Sequence, residues 1–508
     1  MTALSNSRDC ECIVIGSGAG GLAAAATLSR GGAEVLVLEA MTDFGGYLNP
    51  FRRKAYSFNT GMHYLGQLSE TGVFRALLER MDVWDRIVFN QIDSDGFIRF
   101  ICGDLELALP AGRAAISDRL SQRFPKEAVH IDSFLDTIIR IDQAIEAAAE
   151  MDSGVGAWFR ALTQAPFLLS VLGKTYLELV SKFTSNPELR GILCMMNSGL
   201  PAKRAAAIIP ALMFNHYLDG AYYPRGGSGA IRDALVSMIR KSGNRLQNHT
   251  RVVGLHKEKK WFVVRGEEGE WRAPSLICNT DPTTLYGTLL EPSLVPERLR
   301  RRVRGIVPSY GAFYAYVVTD LNMESLGIGS ATVQHWDSVD VILGEDWNHW
   351  DQFKHFLLSC TTLKDVGSGH APPGQHILEL VAPAPFEPFS SWARLPSMRR
   401  GKDYMRYKTE LGWRLIKKAE SYIPGLASNI LYVDFATPIT NSYWVNTPEG
   451  GCYGPMHLPS QVGRRRFAIQ SPIPGLFLCG HGTLAGGIYS SMRSGELAAR
   501  AVLSYLGF

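Results

Sequence analysis

The sequence predicts an α/β fold, a Rossmann-like domain split by an inserted α+β region, and three observations predict it. A short apolar run at residues 13–15 leads into Gly16-Ser17-Gly18-Ala19-Gly20-Gly21 and then an Ala-rich stretch, so a buried strand, a G-x-G-x-x-G turn and a helix follow in order. A second strand pattern, residues 34–38, ends in Glu39, 18 residues after Gly21. Near the C-terminus a glycine-bounded run at 475–480 passes through Gly486-Gly487 into a helix over 488–506, so the two ends of the chain read as parts of one sheet.

Each part of the first motif has a physical reason. Gly16 allows the tight strand-to-helix turn, Gly18 lets a pyrophosphate approach the backbone, and Gly21 lets the helix pack close to the strand. The helix start offers free N–H groups and the positive end of its dipole to phosphate. Glu39 stands where an acid hydrogen-bonds an adenosine ribose.

Composition sets the bounds. A chain of 508 residues can bury a large core and suggests two or three domains. An apolar fraction of 46% with 20% charged residues fits a folded globular protein. A net charge of +4 is too small to imply nucleic-acid binding, and none is expected. The eight cysteines are scattered without a C-x-x-C pair, so no zinc site, dithiol or other metal is read, and reduced thiols in a cytoplasm are expected. Residues 1–9 are polar, so no signal peptide is expected. No 18 uncharged apolar residues run together, so no spanning helix is expected and any membrane contact is peripheral. The sequence sets no oligomeric state.

Along the chain, Gly45-Gly46 permits a second close backbone approach. Asn59-Thr60-Gly61-Met62-His63-Tyr64-Leu65-Gly66 is a polar and aromatic loop. Residues 74–90 have the spacing of a short amphipathic helix, and 97–102 with 105–109 read as a hairpin. From 111 to about 219 the pattern is mainly helical, with Leu135, Ile138, Ile139, Ile141 and Ile145 marking one helix. The apolar stretch 159–183, broken or kinked at Pro166, reads as core packing in preference to a lipid pocket or membrane face. Residues 220–229 form a loop that opens a helix over 231–242, 245–264 read as a β-meander, and 276–280 as a buried strand. Residues 308–318 are apolar on both faces, so both should be covered, and 331–361 with 376–382 add strands of a second sheet. Residues 393–422 are a basic amphipathic helix or pair whose charges read as a solvated face, with contact to anionic lipid the lesser reading.

These pieces together resemble the flavoprotein superfamily of phytoene desaturases, carotenoid isomerases and retinol saturases, which shares its FAD-domain plan with the amine oxidases. The resemblance spans most of the chain and is strongest at 11–66, 220–255, 276–290, 437–460 and 474–503. Its most specific stretches are residues 59–66, Tyr222-Tyr223-Pro224-Arg225-Gly226-Gly227 and Thr437-Pro438-Ile439-Thr440-Asn441-Ser442-Tyr443-Trp444, all closer to the retinol-saturase and carotenoid-isomerase branch than to the amine oxidases. The resemblance implies a glutathione-reductase-type, amine-oxidase-like FAD-binding domain in three parts, 1–95, 220–300 and 461–508. It also implies a helical substrate or insert region at 96–219 and a substrate domain of mixed sheet plus helices at 301–460.

The resemblance implies FAD in an extended pose. Gly16, Gly18, Ala19, Gly20 and Gly21 would hold the pyrophosphate, and Glu39, with Ala40 beside it, the adenosine ribose. Gly45 and Gly46 would pass the ribityl and flavin, and Val252 would meet the adenine through its backbone. Gly480 and His481 would lie at the ribityl–phosphate end. Gly487, Ile488 and Tyr489 would face the flavin pyrimidine edge, where the helix dipole stabilises negative charge. Three positions depart from the branch: Asn59 where Asp is common, Tyr47 where Arg or Cys is frequent, and His481 where an acidic or small residue is usual. They bear on substrate and direction more than on FAD.

No Ser/His/Asp triad is readable, and hydride chemistry at a flavin needs none. For an unactivated C–C bond the protein has to place the carbon and exclude water, which favours a long apolar tunnel. Tyr222, Tyr316, Tyr443 and Trp444 are the expected substrate contacts, with Tyr314 a further candidate. His63 is the acid–base candidate by resemblance, with Tyr64 and Tyr489 further catalytic candidates and His457 a weaker one. The expected function is desaturation, saturation or cis–trans isomerisation of an apolar isoprenoid or polyene such as a carotenoid or retinoid. One alternative is an FAD-dependent oxidase or desaturase of an amine, amino-acid-derived or fatty-acid metabolite, which a charged pocket residue near Tyr443 or Tyr489 would support. Another is a prenyl or lipid carrier of the guanine-nucleotide dissociation inhibitor type, against which the intact 16–21, Glu39 and Gly480 set argues. A plain NAD dehydrogenase would leave Val252 and 475–487 unexplained.

Overall fold

A computed structural model describes residues 10–149, 165–196, 199–344 and 349–508. The polar leader 1–9 and the start of the 159–183 stretch lie outside the described residues.

The short apolar runs pair as strands buried on both faces. Five parallel strands form one sheet in the order Leu476–Leu478, Ser275–Cys278, Cys12–Ile15, Val35–Leu38, Arg245–Gln247. Both ends and the middle of the chain thus share one sheet. On one face the helices Ala19–Arg30 and Ile488–Leu506 meet through small residues: a Cβ added at Gly495 would lie 2.1 Å from the Gly20 carbonyl oxygen. The other face packs against an antiparallel meander, Val252–Glu258, Trp261–Gly266 and Gly269–Ala273.

The meander expected over 245–264 therefore starts later. Arg245–Gln247 joins the parallel sheet instead, where Asn244 Oδ1 accepts from the Val35 N–H at 2.8 Å, and left-handed His249 (φ 52°) separates it from the next strand.

A second sheet of seven strands runs in the order Ile430–Ala436, Gly311–Thr319, His376–Ala384, His355–Cys360, Thr332–Trp336, Ile98–Cys102, Leu105–Leu109. All neighbours are antiparallel except Thr332–Trp336 with Ile98–Cys102. The expected hairpin is thus part of the same sheet as strands more than 200 residues later. Gly311–Thr319 is buried along its whole length. Phe313, Ala315 and Val317 pack with Tyr404, Leu411 and Leu415 of the helix Gly401–Ala419, while Ala312, Tyr314 and Tyr316 face the other way. The basic outer side of that helix is a solvated face, with Arg414 3.2 Å from Asp351 and Lys418 2.7 Å from Asp337.

The helical region contains the long helix Ala128–Ala149 and the shorter Pro187–Leu193 and Ile208–His216. The helix expected over 74–90 covers only Val73–Arg80, because Asp82 takes φ 59° and Phe89–Gln91 pairs as a strand with Tyr222–Pro224. The described part of 159–183 is two pieces, 165–171 and Tyr176–Val180. Among the described residues no helix is long and apolar enough to cross a membrane, and no cluster of His, Cys, Asp and Glu has the makings of a metal site.

Candidate active site

A cavity of about 560 Å³ is lined both by the ends of the parallel strands and by one face of the second sheet. At the parallel sheet, Gly16 (φ 91°) turns the chain from Cys12–Ile15 into the helix Ala19–Arg30. The neighbouring strand delivers Asn279, whose N–H donates to the Ile15 carbonyl at 2.9 Å. Cβ atoms added at Gly18 and Gly20 would meet the Asn279 amide at 2.9 and 2.6 Å, and one at Gly21 would lie 1.9 Å from the Gly16 carbonyl oxygen. The glycines thus serve the close packing of turn, helix and neighbouring strand.

The helix has no side-chain cap, and Gly18, Ala19 and Gly20 line the cavity, so its first N–H groups are left for a ligand. The helix Ile488–Leu506 likewise starts uncapped, at Gly487 (φ 103°), on the same cavity. Glu39 is buried and accepts from the Ser17 N–H at 2.9 Å and the Ser17 hydroxyl at 2.6 Å, and its other oxygen accepts from the Met41 N–H at 2.9 Å. Two uncapped helix ends with an acid between strand and turn fit the diphosphate and ribose of FAD. Gly16, Glu39, Ala40, Gly46, Val252, Gly480, His481, Gly487, Ile488 and Tyr489 join Gly18, Ala19 and Gly20 on the lining. Gly21 and Gly45 lie behind it, Gly45 donating its N–H to the Ser17 hydroxyl at 3.1 Å.

The second sheet supplies a floor. Side chains alternate along each strand, and the register sets Tyr314, Val381, Leu357 and Gln334 opposite one another in a single row that lines the cavity. Ala312, Pro383 and His355 line it from the next row. On the same face, in the row on the far side of Tyr314 from Ala312, Tyr316, Glu379, Ser359 and Thr332 are covered by Phe51, Phe58 and His63. Tyr316 therefore does not reach the lining, whereas Tyr314, stacked on it at 5.6 Å, does. Tyr222 also lies off the lining, held in a strand against Gln91 and bridged to Leu65. On the helix Pro438–Val445, Tyr443 turns to solvent (48% exposed), while Trp444 lines the cavity and is itself 51% exposed, which marks an opening.

His63 and Tyr64 both line the cavity. His63 Nδ1 lies 3.5 Å from Glu379 Oε2 and has no hydrogen-bond partner. Burial pushes the Tyr64 phenol up, so it stays protonated. Tyr489 stacks on His216 at 5.4 Å and its hydroxyl donates to Glu146 at 3.3 Å. His216 Nε2 accepts from the Gly66 N–H at 3.3 Å, and burial pushes its pKa down to about 4, which keeps the ring neutral. His457 Nε2 accepts from the Gly486 N–H at 3.3 Å and is likewise pushed down by burial. His481 lies 3.3 Å from Asp281. Asn59 is fully buried, donating to the Tyr223 hydroxyl at 2.7 Å and accepting from Ser228 at 3.1 Å.

Sequence reasoning missed Asn279, Gln334, His355, Asp142 and Glu146, all on the lining. Asn279 had a signal, since it ends a buried parallel strand, where ligands of α/β sheets gather. Gln334 and His355 had none, because their place depends on strand register.

Residues 19–503 match the model of the family described as flavin containing amine oxidoreductase. The chain is 26% identical over 528 residues to an all-trans-retinol 13,14-reductase of Macaca fascicularis, with 97% of this chain and 85% of that protein covered. It is 25% identical over 523 residues to a chloroplastic prolycopene isomerase of Daucus carota, with 99% and 82% covered. Among solved structures it shares the fold of cyclohexylamine oxidase from Brevibacterium oxydans IH-35A, with a TM-score of 0.64 and 16% identity over 98% of this chain and 100% of that one. The chain therefore belongs to the flavin-containing amine oxidoreductase family and is an FAD-dependent oxidoreductase.

Proposed function

We propose that the protein saturates, desaturates or isomerises a carbon–carbon double bond in an apolar isoprenoid or polyene of the retinoid or carotenoid kind. The observation that carries this reading is the cavity floor, where Tyr314, Val381 and Leu357 stand in one row beside Ala312 and Pro383. Such a surface suits an uncharged chain, whose burial is favourable by about 25 cal/mol per Å². The names of the relatives, a retinol 13,14-reductase and a prolycopene isomerase, support it.

Bound FAD supplies the hydride chemistry. The chain's residues do the rest. The floor places the bond and excludes water. His63 gives or takes the proton that accompanies a hydride. The start of the helix Ile488–Leu506 favours negative charge near the cofactor. Trp444, half exposed at the opening, is where a lipid-borne substrate enters, so brief contact with a membrane surface accompanies the reading.

One observation favours oxidation of an amine instead: the carboxylates of Asp142 and Glu146 on the cavity wall beside Tyr489. Two others weaken it. Arg493 lies 3.5 Å from Glu146, and burial with the neighbouring Glu146 charge pushes Asp142 up to about 6. Anaerobic incubation with retinoids, carotenoids and amines, followed by mass spectrometry and isomer-resolving chromatography, separates the readings. A polyene that gains or loses two hydrogens, or changes geometry at constant mass, supports the proposal. Turnover of amines alone removes it.

A further inference from the structure

Beside the cavity floor, on the same face of the sheet, a buried lysine and a buried glutamate flank His63. Lys364 is buried, and its Nζ donates to the His63 carbonyl at 2.8 Å, to Thr332 Oγ1 at 2.6 Å and to Ser359 Oγ at 2.7 Å. Glu379 is 1% exposed. Its Oε1 accepts from the Thr361 hydroxyl at 3.0 Å and the Asn59 N–H at 3.4 Å, and its Oε2 faces His63 Nδ1 at 3.5 Å. Thr332, Ser359 and Glu379 stand opposite one another in adjacent strands, so one row of the sheet builds the cluster. Burying two such charges costs several kcal/mol each unless hydrogen bonds and the opposite charge offset it, and apolar residues would fill the space as well. The cluster therefore calls for a reason beyond packing.

We propose that Glu379 and Lys364 are positioning residues that fix the neutral ring of His63 as its Nδ1–H tautomer and present Nε2 to the cavity. A carboxylate oxygen 3.5 Å from Nδ1 can accept a hydrogen bond but not donate one, so it favours the proton on Nδ1. Lys364 ties down the backbone from which the ring hangs. The inference takes its use from the proposed hydrogen transfer. FAD, once bound and reduced, would supply the hydride to one carbon of a double bond, and Nε2 of the doubly protonated His63 ring would give its proton to the π pair at the other carbon. The ring is left neutral as Nδ1–H. In the opposite direction Nε2 accepts the proton as the hydride leaves.

The test is nitrogen NMR of the holoenzyme labelled with 15N-histidine, in which the two ring-nitrogen shifts report the tautomer. The His63 signals are assigned by their loss in His63→Gln. The expected result is the Nδ1–H tautomer in the wild type, a shift toward Nε2–H in Glu379→Gln, and broadened His63 signals in Lys364→Met with the exposed His130 unchanged. An Nε2–H tautomer in the wild type overturns the inference even if neither variant folds, and so does a Glu379→Gln spectrum identical to the wild type. The readout needs no substrate, so an Nδ1–H tautomer without polyene turnover would remove the hydrogen-transfer reading alone.

Discussion

The carboxylate of Glu39 accepts from both the N–H and the hydroxyl of Ser17, at 2.9 and 2.6 Å, so the acid that ends the second strand is tied to the turn that follows the first. Hydrogen bonds to a charged group are worth about 1.5–3 kcal/mol, roughly tenfold to a hundredfold in binding. Glu39→Gln should weaken FAD binding by about that factor, and Ser17→Ala by less, in fluorescence titrations of the apoprotein. Unchanged affinity in Glu39→Gln would place the ribose elsewhere.

The contact between the first and last helices makes a second prediction. A Cβ at Gly495 meets backbone, the Gly20 carbonyl oxygen, at 2.1 Å, and neither helix can yield without moving the glycine turn. Gly495→Ala should destabilise the protein by about 1–3 kcal/mol and reduce flavin retention. Gly254→Ala, where a Cβ meets nothing within 4 Å, should stay within about 0.5 kcal/mol of the wild type in thermal melts.

The reach of the sequence follows from which interactions are local. Gly16 to Gly21, Glu39 and the uncapped start at Gly487 were legible because a strand, a turn and a helix start each leave a signature within a few residues. The floor was not, because Tyr314, Val381, Leu357 and Gln334 come together only through the register of strands far apart in the chain. Tyr316, two residues from Tyr314 and on the same face, is kept off the lining by the rings of Phe51 and Phe58, which come from a distant part of the chain. Arg245–Gln247 was misread for a related reason: three residues carry no mark of parallel or antiparallel pairing.

Lys364 should leave a trace in the pH dependence of stability. Burial pushes its pKa down to about 7 in the folded protein, against the opposing pull of Glu379, from an unfolded value of 10.5. Between these values the unfolded chain holds the proton that the folded one has lost, so this group makes stability rise with pH from about 7 to 10.5 and contributes no slope below. One proton corresponds to at most about 1.4 kcal/mol per pH unit. Urea melts of wild type and Lys364→Met across this window should differ by up to that slope. Parallel stability curves would contradict the assignment.

Gln334 should discriminate between substrates. Its side chain is 6% exposed, on the cavity floor, and Oε1 has no hydrogen-bond partner. That oxygen can accept from a hydroxyl on the substrate. Gln334→Leu should lower kcat/KM about tenfold for a hydroxylated polyene, the worth of one hydrogen bond of roughly 1–1.5 kcal/mol, and leave a hydrocarbon polyene almost unaffected. Equal losses on both would mean that Gln334 does no more than support the floor.

The most direct test of the account is the visible spectrum of the purified holoenzyme under anaerobic conditions, recorded as retinoids, carotenoids and primary amines are added in turn. The account predicts that a polyene alone exchanges electrons with the flavin, either bleaching the oxidised bands or restoring them after chemical reduction, and that amines leave the spectrum unchanged. Bleaching by an amine, with no response to any polyene in either redox state, would contradict it.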